Sequence, residues 1–260
     1  MKLPESNPGS NVLCKCCGTP AAGFGTVDFH KNCEQARGRA VLPPSGIPVG
    51  YYRCGACGFI FTTAFDQFTH EDFAKWIYNE QYALVDPDYA GARAEGNAQF
   101  ISHLLGGDPA NKSLRILDYG GGSGRLSELL RNAGYADTSC YDPFVPASSQ
   151  RPEGQFDLIL CFEVLEHSTD PKKAVSDILS MLREPAAIAV FSTLFQPPEI
   201  DQLRVGWWYI APRNGHVSLF SRASMRALAR ALKFKFGSFT DGMHVLYRNP
   251  PAFAAPWTGT

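Results

Sequence analysis

The chain has 260 residues, 45% of them hydrophobic and 19% charged, with a formal net charge of −1. That is enough chain for one full α/β domain plus a small module, with the composition of a globular protein. So small a net charge gives no general attraction to a long nucleic acid, and no apolar run approaches the ~20 residues of a membrane span. The polar start, 1–11, lacks the apolar segment of a secretory leader, so a cytoplasmic location is expected. There, eight cysteines ask for a metal or a buried position before a disulfide.

Residues 1–62 read as a zinc ribbon. Cys14-Lys15-Cys16-Cys17-Gly18 and Cys54-Gly55-Ala56-Cys57-Gly58 each hold C-x-x-C followed by glycine, a turn whose amides point at the thiolates. Two such knuckles predict one tetrahedral site made by Cys14, Cys17, Cys54 and Cys57. The alternative is four scattered buried thiols. The gap between the pairs implies an inserted loop through Pro43, Pro44, Gly46 and Pro48. Cys16, His30 and Cys33 are alternative ligands, without a second knuckle to support them. Cys140 and Cys161 read as small buried hydrophobes. The ribbon is mildly basic, which is compatible with a phosphate-bearing partner. A helical connector is expected over 63–105, with Phe73, Trp76, Ile77 and Leu84 as its core face.

At 114–118 an apolar strand ends on Asp118 and turns through Gly120, Gly122 and Gly124 into a helical pattern carrying Leu126, Leu129 and Leu130. Glycine lets backbone lie directly against a ligand at the carboxyl end of a parallel strand. The dinucleotide spacing G-x-G-x-x-G fails at Arg125 or Ser127, and no P-loop is present. Further on, 137–141 reads as a second strand ending on Asp142. A third, 156–162, runs through Phe162 into Glu163-Val164-Leu165-Glu166-His167. A helix is expected from Pro171 to about 183, a strand over 186–194, and a long irregular segment over 195–217. A helix capped by Ser221 and a closing hairpin follow, over 234–239 and 243–247.

The run Asp118-x-Gly120-x-Gly122-x-Gly124, followed by Asp142 and the Glu-His segment, resembles the class I S-adenosylmethionine-dependent methyltransferases across roughly 95–250. The resemblance implies a Rossmann-like α/β sheet with helices on both faces over 106–250, preceded by the ribbon and followed by a tail, 251–260. One α/β unit is abbreviated, because 143–155 is too short for another helix and strand. The implied cofactor is S-adenosylmethionine, held by Asp118, Gly120, Gly122, Gly124, Asp142 and Phe162. In its order of parts the chain is similar to sugar methyltransferases with an N-terminal zinc module. That likeness implies a small-molecule acceptor, first a sugar or glycan hydroxyl. It also implies that Tyr78 and Tyr82 form a lid and that Arg93 reaches the cofactor carboxylate.

A hydroxyl acceptor must lose a proton, which makes His167 and then His216 the candidate bases; a structural role for His167 is the alternative. Trp207, Trp208 and Tyr209 are candidates for stacking on the acceptor or for anchoring their loop. Glu163, Glu166, His167 and His216 also resemble the metal-holding set of 2′-O-methyltransferases that act on small RNAs, an alternative to the metal-free base. A third reading is a non-catalytic binding protein on a degenerate methyltransferase fold.

Overall fold

The computed structural model describes residues 12–39, 42–186 and 188–258; the polar start lies outside these. Its strands are β1 (Val12–Leu13), β2 (Pro20–Asp28), β3 (Pro48–Cys54), β4 (Ile60–Phe61), β5 (Ile116–Tyr119), β6 (Thr138–Tyr141), β7 (Leu158–Cys161), β8 (Ile188–Ser192), β9 (Ser218–Leu219), β10 (Lys235–Ser238) and β11 (Met243–Tyr247). They form two sheets, ordered β1-β2-β3-β4-β9 and β10-β11-β8-β7-β5-β6. The chain divides into two compact units. Among the described residues no helix is long and apolar enough to cross a membrane.

The first unit runs to Pro87 and adds Leu165–Lys173 and Leu194–Leu228. Its sheet is antiparallel throughout. The two knuckles are built alike: Gly18 and Gly58, at φ 74° and 73°, donate their N–H groups to the carbonyls of Cys14 and Cys54 at 2.8 and 2.9 Å. The fifth strand, β9, comes from beyond residue 200 and pairs with β4, so this sheet is completed by distant sequence. Phe24, Tyr51, Ile60 and Phe65 share one apolar core with Trp207, Tyr209, Val217 and Leu219.

The segment expected to be an irregular loop is in fact built into this core. Lys31 Nζ donates to the carbonyls of Val205, Trp207 and Ile210 at 2.7 to 2.8 Å. Arg213, almost wholly buried, donates to Ile77 O and Asn79 Oδ1, and Asn214 donates to Val85 O. Each of these bonds satisfies a carbonyl or amide that the turns leave without a partner in regular structure.

The connector is built from short helices. Thr69 and Asp72 form a capping box at the start of His70–Trp76, and a short turn of helix follows at Tyr82–Val85. Phe73 and Ile77 are buried as expected, but Leu84 is 52% exposed. Tyr82 lies in the core at 7% exposure, which removes it from a lid.

The second unit comprises Asp88–Val164, Ala174–Thr193 and Ala229–Thr260. Strands β6, β5, β7 and β8 are parallel, and β11 and β10 close the sheet as an antiparallel pair. All four residues of β7 are buried, the continuous apolar run of a strand covered on both faces. Helices Ala92–Leu105 and Arg125–Asn132 lay Ala98, Ile101, Leu105, Leu126 and Leu130 on Ile116, Leu158, Leu160 and Val190. Between Asp142 and β7 stands only the 3-10 turn Pro146–Ser148, so one α/β unit is indeed abbreviated. The helix from Pro171 ends at Ser180 and the strand after it spans Ile188–Ser192, both shorter than expected. Ser221 caps the helix Arg222–Ala231: its Oγ accepts from Ser224 N at 3.0 Å, and its N–H donates to Ser224 Oγ at 2.9 Å.

Candidate functional site

In the second unit β5 delivers Asp118 and Tyr119 to a turn in which Gly120, Gly122 and Gly124 take φ of 73°, 55° and 78°. A Cβ on Gly120 would collide with Val164. One on Gly121, which has ordinary φ, would lie 2.5 to 2.7 Å from the Asp118 carboxylate and Cys140 Sγ. Gly121 is therefore required for space, a role that the spacing of the motif does not reveal.

Asp118 is buried and accepts from Ser127 Oγ at 3.1 Å. Burial, assisted by the neighbouring Asp142, pushes its carboxyl up to about 7. Asp142 follows β6 and is fixed by two amides, Gly122 N at 2.9 Å and Phe144 N at 2.8 Å. A carboxylate has about four acceptor positions, so two bonds leave capacity for hydroxyl donors. Tyr89 also stands over the turn, its Oη 3.2 Å from where a Gly122 Cβ would be.

The remaining cofactor candidates are placed differently. Phe162 turns its side chain into the core at 8% exposure, so only its backbone is offered at the strand end. Arg93 is half-buried on the first turn of Ala92–Leu105. Glu163 adopts φ 55°, unusual for a residue with a Cβ. Ser192 Oγ holds it, accepting from its N–H at 2.8 Å and donating to its carboxylate at 2.6 Å.

Two side-chain clusters lie in the first unit. In one, the Sγ atoms of Cys14 and Cys57 are 3.6 Å apart, those of Cys17 and Cys54 3.5 Å apart, and all four lie within 4.8 Å of one another. Sulfurs bound to one zinc at ~2.3 Å in a tetrahedron are separated by ~3.8 Å, so this donor set fits a Cys₄ metal. Cys16, His30 and Cys33 are not members of the group. His30 Nδ1–H donates to Pro43 O at 2.6 Å, and Cys33 Sγ lies 4.0 Å from His216 Nδ1.

The other cluster is Glu166, His167 and His216, whose donor atoms also lie within 4.8 Å of one another. Glu166 is fully buried and His216 nearly so. Tyr209 Oη donates to Glu166 Oε1, and His216 Nδ1–H donates to Tyr209 O at 2.9 Å. The two segments are tied by Val217 N donating to Glu166 O at 2.8 Å. Tyr78 stacks toward His167 with ring centroids 6.1 Å apart. Glu163 is not in the group. Trp207 and Tyr209 are buried at 3% and 4% exposure, so they anchor the segment and do not present a stacking face; Trp208, at 42%, does.

Comparison with known proteins identifies the domain. A description of the methyltransferase domain matches residues 89–236. The ubiquinone biosynthesis O-methyltransferase of Albidiferax ferrireducens is 30% identical over 130 residues, 48% of each chain, so the chain spans about half the length of that curated relative. Among solved structures, an O-methyltransferase family protein from Burkholderia thailandensis aligns with a TM-score of 0.49 at 8% identity, over 71% of this chain and 64% of the other. The 1,6-didemethyltoxoflavin-N1-methyltransferase of the same organism aligns with a TM-score of 0.46 at 16% identity, over 78% and 96%. With the match spanning more than half of its length, the chain belongs to the methyltransferase-domain family and carries a class I S-adenosylmethionine-dependent methyltransferase domain.

Proposed function

We propose that this protein transfers the methyl group of S-adenosylmethionine to an oxygen of a small-molecule acceptor. The observation that carries the reading is the glycine turn 120–124 with the Asp142 carboxylate fixed against it by Gly122 N. S-adenosylmethionine supplies a methyl already activated by its sulfonium, so the protein has mainly to align the reactants and exclude water. Asp142 accepts from the ribose hydroxyls, and the turn's backbone faces the methionine end. Tyr89, from above Gly122, orders that end.

The name of the curated relative supports oxygen as the acceptor atom; the order of parts, zinc module before methyltransferase domain, supports a sugar or glycan hydroxyl. Loss of the acceptor's proton is assigned to the cluster of Glu166, His167 and His216, with Trp208 as the aromatic face for the acceptor. Cys14, Cys17, Cys54 and Cys57 hold a structural zinc, a reading supported by the sulfur separations.

Calorimetry with S-adenosylhomocysteine tests the cofactor half. Asp142→Ala is expected to weaken binding by about 2 kcal/mol, as for lost charge-assisted hydrogen bonds. Gly122→Val, strained at φ 55° and directed at Tyr89, is expected to abolish it. Wild-type affinity in both variants would refute the assignment.

A further inference from the structure

We infer that Glu166, His167 and His216 form a second metal site, for a divalent first-row transition metal, that binds and acidifies the acceptor's oxygens. Four observations point this way. The three donor atoms lie within 4.8 Å of one another, on two segments locked together by the Val217 N to Glu166 O bond. Two imidazoles with one carboxylate suit Mn²⁺, Fe²⁺, Co²⁺ or Zn²⁺ better than Mg²⁺ or Ca²⁺, which prefer all-oxygen sets. The outer bonds are those that metal ligands use. His216 commits Nδ1–H to a backbone carbonyl, which fixes the tautomer with its lone pair on Nε2, and Tyr209 Oη steadies one oxygen of Glu166.

The fourth is clearance. Gly215, at φ 85°, is the position where a Cβ would stand 2.9 Å from His167 Nδ1, so the turn 213–216 admits His167 only because residue 215 is glycine. The set differs from the four-residue one suggested by sequence, since Glu163 is not among the grouped donors and its carboxylate accepts from Ser192 Oγ.

Three protein ligands leave coordination positions open for substrate. The inference deepens the methyl-transfer reading and rests on it for its chemistry. An acceptor with two adjacent oxygens, a vicinal diol or its aromatic counterpart, would fill two positions. Coordination lowers the pKa of the bound hydroxyl, so its proton leaves to solvent near neutral pH. As the new O–C bond forms, the carbon–sulfur bond breaks with its electron pair going to sulfur, and the metal changes neither charge nor oxidation state.

The test uses the full chain and Mn²⁺, which thiolates bind poorly, followed by electron paramagnetic resonance. Wild type is expected to bind one equivalent saturably. His167→Gln and His216→Gln should weaken that binding by roughly 100-fold, while zinc content and S-adenosylhomocysteine affinity stay at wild-type values. If buried His216 does not tolerate substitution, half-buried His167 decides the matter. No saturable Mn²⁺, Co²⁺ or Zn²⁺ beyond the cysteine-held equivalent, or wild-type Mn²⁺ binding in His167→Gln, would overturn the site. A chain that binds Mn²⁺ here but no S-adenosylhomocysteine would uphold the site and refute methyl transfer.

Discussion

Asp118 is a carboxyl group at the end of β5 with 2% of its surface exposed, and burial raises it to about 7. Between the ordinary carboxylate pKa near 4 and that value, the folded state keeps a proton that the unfolded state has lost. Its contribution to stability is therefore full below pH ~4 and falls away as pH rises through about 7. Asp118→Asn is expected to remove this decline, which melting curves of wild type and variant between pH 4.5 and 8 would show as converging acid-side midpoints and a more stable variant at pH 8. Parallel curves would refute it. Tyr209→Phe removes the hydroxyl that donates to Glu166. It should weaken Mn²⁺ binding by roughly 10- to 100-fold and cost about 1–3 kcal/mol of stability, because a buried carboxylate oxygen loses its donor, read by paramagnetic titration and urea unfolding. The aspartate and the three spaced glycines were legible because their residue types answer a backbone need. Gly121 and Tyr89 were not, because what they do depends on where the chain brings other side chains and turns, the Asp118 carboxylate and Cys140 Sγ for one and Gly122 for the other.

The element that best shows how local pattern and packing diverge is the segment 195–217. Its prolines, glycines and paired tryptophans signal irregular structure, yet it holds the helical turn Ile200–Leu203 and the 3-10 turns Arg204–Gly206 and Pro212–Asn214, and Lys31 binds its carbonyls and Arg213 that of Ile77 from within a core. Periodicity detects helices and strands, whereas a segment held by side chains donating to backbone leaves no period to read. The same limit explains the connector, where the helical spacing of Phe73 and Ile77 was legible but the capping box of Thr69 with Asp72 and the break after Trp76 were not. Strand ends were legible where an acid or glycine closed the strand, as at β5 before Gly120 and at β6 before Asp142. Gly121→Ala tests the turn as an element: the added methyl meets the Asp118 carboxylate and Cys140 Sγ below 3 Å. It should cost about 1–3 kcal/mol in urea unfolding, as overpacking does. An unchanged midpoint would mean that the turn is looser than its geometry.

For the molecule as a whole, the division of the chain follows space and not sequence order. The first unit returns at Leu165–Lys173 and Leu194–Leu228, so the Cys₄ cluster and the Glu166–His167–His216 cluster share one unit although ~100 residues separate them in the chain. A reading that cuts a sequence into consecutive domains cannot find such a unit, since each return looks like a loop of its host. If zinc contributes folding energy to this unit, Cys54→Ser should lose the Mn²⁺ site and the burial of Trp207, and should keep S-adenosylhomocysteine binding by the second unit. Tryptophan fluorescence and calorimetry on the same sample would report both; loss of homocysteine-adduct binding together with the fluorescence change would refute the independence of the two. The pairing of β4 with β9 has a further consequence during synthesis. When β4 leaves the ribosome its partner has not been translated, and at usual elongation rates it waits on the order of ten seconds. For that interval a bare strand edge invites pairing with another nascent chain. All four cysteines have emerged by then, so early metal capture would hold the half-built sheet in register until its last strand arrives.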